Sequence, residues 1–462
     1  MPTAPVYRRR RITVAVAVLT VLTVLALLGA NLLRGPEATR QVSGSPAPTP
    51  VLPAAGNPTP VLPADVGGEP LPDPAVLAGL LGPELSDVRF GGPISGRIAD
   101  PASGDVLFAQ ASDRLVVPAS TLKLATALAV ELSVEPGLRL ATTVLAGPAP
   151  GQIVLVGGGD VTLSSAPEGN AYAGAATISD LAAQVSAAIP GPVTAISVDI
   201  DYFTGPATGP GWGVGDAPSS YAAPITAVMV DGGRFGPRDP GLRSSLPALQ
   251  AGQALAEALG VPDVPVAGGN AGSGAAVLGQ VQSAPVERLV EQMLAASDNV
   301  LAEALARQVA LAAGAPASFE GAADAVLAAL EQAGLSTAGA AVVDGSGLSP
   351  RNLMTADLLT EILVRAAGAP TAPGRGLLAG LPVAGYDGTL SERFLASSAA
   401  GVLRAKTGTL DGTSALAGVV ETADGRLLVF AFVADAVPVG GRYPAEEALD
   451  ELASVLAGCG CR

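Results

Sequence analysis

The chain has 462 residues, a net charge of −16, no histidine, and only two cysteines, Cys459 and Cys461, at its extreme C-terminus. At about 150 residues per domain, this length suggests two or three domains. Without histidine there is no Ser-His-Asp or Cys-His nucleophile, no His-x-x-x-His metal site and no imidazole proton shuttle, and two neighbouring terminal cysteines make neither a zinc ribbon nor an iron–sulfur cluster.

The N-terminus carries Arg8, Arg9, Arg10 and Arg11, followed by an apolar run at residues 12–33. A helix of about 20 residues spans a bilayer, whereas a cleavable signal core is usually about 7 to 15. Residues 1–35 therefore read as a basic cytoplasmic end and an uncleaved signal anchor, with the rest of the chain outside. The open alternative is a long cleaved signal and a secreted protein. Residues 1–35 hold five arginines and no acid, so the net charge of −16 becomes −21 over residues 36–462. Such a surface does not bind nucleic acid through its phosphates. Residues 36–74 hold eleven prolines, and Pro-Thr-Pro-Val-Leu-Pro-Ala occurs at 48–54 and again at 58–64. This reads as an extended linker able to reach on the order of 120 Å at about 3.1 Å per residue. A disordered spacer is the alternative.

The folded region is expected from Pro74. Residues 94–108 have a hairpin pattern around a turn at 100–104. A helix is expected from about Ser120 to Leu132. A Gly-, Val- and Ala-rich stretch follows, with strand-like runs at 153–156 and 195–200. Helical periodicity returns at 285–313, 318–334 and 354–367. Strand patterns at 401–406, 414–420 and 426–433 end the chain. Strands at both ends with helices between suggest one sheet built from both termini, with helices packed on it.

Of the 25 Lys and Arg residues, only Lys123 and Lys406 are lysine. A bias toward GC-rich codons explains the rarity of lysine but not these two positions. An amine can lose its proton in a suitable site, and a guanidinium cannot. Lys123 follows Ser120 by three residues, so the pair shares a helix face near an N-terminus whose field favours an alkoxide. A deprotonated lysine there can serve as base for a serine nucleophile. A capping serine beside a solvent-facing lysine is the bland reading. Lys406 opens Lys406-Thr-Gly-Thr409, where Gly408 permits close approach of a ligand and Thr407 and Thr409 offer hydroxyls. Ser297-Asp-Asn299 interrupts an apolar helical pattern, and an N-cap between two helices is its bland reading.

Ser-x-x-Lys, Ser-x-Asn and Lys-Thr-Gly in this order form a mechanistic set, and the only two lysines fill its two lysine slots. The set resembles that of the penicillin-recognising serine enzymes. Segments at 156–163, 197–203, 344–349 and 385–394 are similar to those of the D-alanyl-D-alanine carboxypeptidase/endopeptidase family, the class C low-molecular-mass penicillin-binding proteins. The resemblance covers roughly residues 86–458. It implies an α/β (α+β) fold of the penicillin-binding and serine β-lactamase type, an antiparallel sheet flanked by helices, with an inserted domain between the first and second motifs. The expected division is 75–142 and 284–462 for the catalytic domain and 143–283 for the insert. Family members often carry two inserted domains, and about 140 residues is short for two, so no substrate contact is carried over from this region.

The resemblance further implies that Ser120 is the nucleophile, Lys123 the acylation base, and Ser297 a proton relay supported by Lys406. Asn299 would hold the substrate amide, and the backbone N–H groups of Ser120 and Thr409 the oxyanion. Thr407 and Thr409 would receive the terminal carboxylate beside Gly408, and Leu348 and Arg351 would line a pocket for the stem peptide. No metal and no cofactor are implied. The expected partners are the peptidoglycan stem peptide, β-lactam inhibitors and, through residues 12–33, the membrane of the bacterial cell envelope. The leading activity is D,D-carboxypeptidase, with D,D-endopeptidase action on cross-links as a companion. A β-lactamase and a catalytically silent wall scaffold are the alternatives. The nearest candidate for a β-lactamase deacylating loop, at Glu331, lacks its asparagine. The Gly157–Gly159 run before Asp160 reads as a turn, since no Gly-Lys-Ser/Thr follows to cradle phosphate. Trp212 and Tyr221 read as local packing.

Overall fold

The computed structural model describes residues 68–166, 171–236, 241–368 and 374–460. The apolar run at 12–33, the proline-rich stretch through residue 67 and Cys461 lie outside them. Among the described residues, no helix is long and apolar enough to cross a membrane.

Helix α1 (Pro74–Leu85) opens with proline in its first turn and an Asp73 cap whose carboxylate accepts from the Ala75 and Val76 N–H groups. Strands β1 (Ser95–Ala99) and β2 (Val106–Gln110) form a hairpin. A 3₁₀ turn, Ala119–Leu122, leads into α2 (Lys123–Ser133). Then come β3 (Arg139–Ala146), β4 (Gln152–Gly157), α3 (Ile178–Ala188), β5 (Ala195–Asp199), α4 (Pro247–Ala258), β6 (Val266–Gly268) and β7 (Val277–Pro285). The next helices are α5 (Val286–Ala296), α6 (Asn299–Ala312), α7 (Phe319–Gln332), α8 (Ala356–Ala367) and α9 (Arg375–Gly380). The chain closes with β8 (Leu403–Leu410), β9 (Thr413–Glu421), β10 (Leu427–Ala434) and α10 (Arg442–Ala457).

Two five-stranded sheets result. The first is antiparallel throughout, in the order β2-β1-β10-β9-β8, so strands from both chain ends meet where Arg97 pairs with Ala431. Both its faces are covered, and the period of two divides them. Ala415, Ala417, Val419, Val429, Ala431 and Val433 face the helical lobe with α2, α5, α6, α7 and α8. Leu416, Val420, Leu428, Phe430 and Phe432 face the opposite side, under α1 and α10.

The second sheet has the order β6-β5-β4-β3-β7, with β4, β5 and β6 parallel and β3 antiparallel to both β4 and β7. Ile178, Leu181 and Val185 of α3 and Ala251 and Leu255 of α4 share its own core with Val144, Leu155, Ile196 and Val198. The chain enters this sheet on β3 and leaves on its neighbour β7, where Arg139 pairs with Pro285. Not all of the segment joins that core. Val161, Tyr172, Ala223, Ile225 and Met229 pack into the helical lobe instead.

Candidate active site

Ser120 lies in the 3₁₀ turn before α2, partly exposed, with Ala119 ahead of it in a left-handed conformation at φ 47°. Positive φ is uncommon for a residue with a Cβ and is held only where its surroundings enforce it. Lys123 begins α2 and is wholly buried. Its ammonium donates to Ser120 Oγ at 2.9 Å, to Asn299 Oδ1 at 2.6 Å and to the Ser346 carbonyl at 2.7 Å. Burial disfavours the charged amine and brings its pKa down to about 8, against the raising pull of Asp344, Asp298 and Glu303.

Ser297 and Asn299 flank a break in what the sequence pattern presents as one helix over 285–313. Helix α5 ends at Ala296, Ser297 turns left-handed at φ 54°, and Asp298 caps α6 by accepting from the Leu301 N–H at 2.9 Å. The capping and catalytic readings of this tripeptide are therefore compatible: the cap creates the corner that presents its two neighbours. Asn299 reaches Lys123 with its oxygen, while its Nδ2 donates to the Tyr221 carbonyl at 3.2 Å.

Lys406 sits in the middle of β8, which runs on to Leu410 rather than ending at the lysine. It pairs with Ala417 and so points into the helical lobe. Its Nζ donates to Ser297 Oγ at 2.8 Å and to the Thr407 carbonyl at 2.9 Å. Burial first, and the charge of Lys123 second, hold its pKa well below the ordinary lysine value. Gly408 explains why the strand and the nucleophile turn lie so close, since a Cβ there would come within 2.8 Å of the Pro118 carbonyl. Thus the five residues form two hydrogen-bonded groups around two buried amines, Lys123 with Ser120 and Asn299, and Lys406 with Ser297, near enough for the charge of Lys123 to act on Lys406.

The remaining expected residues are arranged differently. Thr407 and Thr409 alternate to the other face of β8. Thr407 Oγ1 lies 3.0 Å from Thr389 Oγ1, and the Thr409 hydroxyl donates to Glu446 Oε1 of α10 at 2.9 Å. Leu348 is buried and Arg351 exposed, both in the 344–352 loop whose Ser346 carbonyl meets Lys123.

Sequence reasoning missed the support behind the second motif. The Asp298 carboxylate, besides capping α6, accepts from Tyr172 at 2.9 Å, Arg234 at 3.0 Å and Arg243 at 3.2 Å, all buried. Burial alone would raise its pKa, yet Arg243, Arg234 and the Leu301 N–H hold it well below the usual carboxylate range. Tyr172, Arg234 and Arg243 stand in a glycine-rich stretch with no motif of their own. Trp212 does more than pack locally: its Nε1 donates to Asp344 at 2.9 Å, and its ring meets Phe319 edge-on at 5.5 Å. Tyr221 contributes the carbonyl that orients Asn299. Among the described residues no cluster of metal-ligating side chains occurs.

Against known proteins, the model of the D-Ala-D-Ala carboxypeptidase 3 (S13) family matches residues 79–240 and 237–456. Carboxypeptidase DacB of Mycolicibacterium smegmatis is 43% identical over 463 residues, covering 98% of both chains. A carboxypeptidase of Mycobacterium tuberculosis is 45% identical over 379 residues, 80% of this chain and 81% of its own. Penicillin binding protein 4 of Haemophilus influenzae shares the fold, with a TM-score of 0.69 at 19% identity over 84% of this chain and 100% of that one. It is also solved with a β-lactam, there with a TM-score of 0.62 at 20% identity over 83% and 99% of the two chains.

Proposed function

The chain belongs to the D-Ala-D-Ala carboxypeptidase 3 (S13) family, and from that premise we propose how its residues perform the reaction of a serine D,D-carboxypeptidase on peptidoglycan stem peptides. The observation that carries the reading is the wholly buried Lys123 amine within 2.9 Å of Ser120 Oγ, its pKa brought down to about 8. A serine hydroxyl becomes a useful nucleophile when an adjacent base takes its proton.

In the first half-reaction Lys123 Nζ accepts the Ser120 proton while Oγ bonds to the carbonyl carbon of the penultimate D-alanine. The backbone N–H groups of Ser120 and Thr409 stabilise the oxyanion. As the C–N bond breaks, Ser297 Oγ gives its proton to the leaving D-alanine amine and is resupplied through the amines beside it. Lys406 supports that transfer by its 2.8 Å contact to Ser297. Asn299 holds the substrate amide. Water then attacks the acyl-enzyme, the ester bond to Oγ breaks, and Ser120 regains its proton. A cross-linked peptide presents the same acyl carbonyl, so D,D-endopeptidase action needs no further chemistry. Thr407, Thr409 and Gly408 receive the terminal carboxylate at the free edge of β8, to which the two hydroxyls must turn from their contacts with Thr389 and Glu446. Leu348 and Arg351 border the stem-peptide side chain.

Residues 143–283 act as an inserted domain that also buttresses the second motif. The protein works in the cell envelope, tethered by residues 12–33 with its catalytic part outside, and β-lactams are its inhibitors. Intact mass after incubation with benzylpenicillin, beside Ser120→Ala, tests the reading. A persistent adduct on the natural chain alone is expected. Rapid loss of drug without an adduct would favour a β-lactamase, and neither adduct nor turnover would leave only a scaffold.

A further inference from the structure

Behind Lys123 lies a buried carboxylate that the reaction as described does not use. Glu303, one turn into α6, is fully buried. Its Oε1 accepts from the Ser346 N–H at 2.9 Å and the Gly345 N–H at 3.0 Å, and its Oε2 lies 3.1 Å from the same Gly345 nitrogen. The carbonyl of the Gly345–Ser346 peptide accepts from Thr126 Oγ1 at 2.6 Å, and the Ser346 carbonyl, in the next peptide along, is the 2.7 Å acceptor of the Lys123 amine.

The arrangement bears on where the lysine lone pair points. An ammonium has three N–H donors, and a neutral amine has two plus a lone pair. Three acceptors surround Lys123 Nζ. The Ser346 carbonyl has no proton to give. Nor does Asn299 Oδ1, because the opposite end of that amide is oriented by donation to Tyr221. Only Ser120 Oγ can change from acceptor to donor. We propose that Glu303 is a positioning residue of the acylation step: by pinning the 345–346 peptide it makes the Ser346 carbonyl and Asn299 occupy both N–H bonds of neutral Lys123, which turns the lone pair onto the Ser120 hydroxyl. This rests on the acyl-enzyme reading above.

The charged groups around Glu303 fit a pinning role. Arg307, one turn on along α6, lies 3.4 Å from Oε2, and Asp344 acts on Glu303 from the 344–352 loop. Glu303 in turn acts on Lys123 of α2, as do Asp344 and, at the start of α6, Asp298. Burial and the charge of Asp344 raise the Glu303 pKa, and Arg307 opposes them.

Two variants test this through the pH profile of acylation by benzylpenicillin, read per folded molecule by circular dichroism and mass. Glu303→Gln removes a negative charge that favours the lysine ammonium. Gly345→Ala keeps that charge but inserts a Cβ that would come within 2.5 Å of Ala306 Cβ and 3.1 Å of the Ala302 carbonyl, driving the loop off α6. In both, the acid limb moves to lower pH, because the ammonium loses a partner or a counter-charge. The high-pH plateau falls as well, by about tenfold or more in Gly345→Ala, since misplacement near 1 Å is costly in a reacting pair. A folded variant that keeps both the limb and the plateau of the natural chain overturns the proposal, and if one variant does not fold the other decides. Absence of both a Ser120 adduct and benzylpenicillin turnover on the natural chain would instead overturn the acyl-enzyme reading itself.

Discussion

At the scale of single residues, the site turns on what burial does to two amines. Water stabilises an ammonium strongly, so removing it favours the neutral, basic form. Lys123 is left with a pKa of about 8, within reach of neutral pH, and Lys406 is lowered further by the neighbouring charge. The direction of pH dependence follows. The protonated amine is inactive as a base, so acylation by benzylpenicillin should rise as pH increases through about 8 and level off above it. Lys123→Arg keeps a positive charge but cannot lose its proton. It should lower the acylation rate at least about 10²-fold, the lower range of general-base contributions, and erase the limb. A stopped-flow pH series on the two proteins checks both statements, and an arginine variant with the natural limb would remove Lys123 from the base role. These two residues were legible in the sequence because arginine fills every other cationic position, so the lysines marked themselves.

At the scale of elements, the junction of α5 and α6 was half legible. Apolar periodicity runs unbroken across 285–313, and periodicity alone does not register a one-residue corner. The tripeptide Ser297-Asp-Asn299 carried the hint, because capping residues inside an apolar run compete with the helix they sit in. Strand β8 was cut short for a related reason: Thr-Gly-Thr after Lys406 is a poor strand pattern, tolerated on the strand at the edge of its sheet, beside β9. The arginines on Asp298 were invisible, since Arg234 and Arg243 lie 64 and 55 residues away and meet it only through the fold. Their absence from the motif does not make them dispensable. Asp298→Asn would remove the anion that the buried Arg234 and Arg243 share, and breaking a buried pair costs about 3–5 kcal/mol. We expect a Tm lower by several degrees and weaker acylation, as the corner carrying Ser297 and Asn299 loosens. The natural chain's advantage should be full above the ordinary aspartate value of 3.8, because the folded carboxyl is held below it, and should shrink as pH falls past that value. Calorimetry from pH 3 to pH 7 reads both. An equal Tm for the two proteins at pH 7 would show that the cluster does not brace the corner.

At the scale of the whole molecule, the second sheet keeps a core of its own, and a seam of apolar and polar contacts joins it to the helical lobe of the first. The first sheet closes the chain on itself, pairing β1 near the start with β10 near the end, and buries both faces. The second is fed by neighbouring strands β3 and β7 and has a separate core. The resemblance implied an insertion between the first two motifs, but nothing in the glycine-rich stretch distinguished residues that build the second sheet from those that pack with the helical lobe. The structure separates them: Ala223, Ile225 and Met229 pack with the helical lobe, whereas Val228 and Val230 pack with the second sheet. Cooperative units tend to follow such cores. Native-state hydrogen exchange should therefore give two sets of amides. Those of β9 and β10 should open only with global unfolding. Those of β4 and β5 should share an opening free energy lower by at least about 1 kcal/mol, given the spread from fraying to global values in folded proteins. Amides at 223–230, stitched to both cores and to Asn299 through Tyr221, should follow β9 and β10. If every slow amide instead reports one common free energy, the two sheets form a single cooperative unit, and the second motif is braced by the molecule as a whole rather than by a seam between two cores.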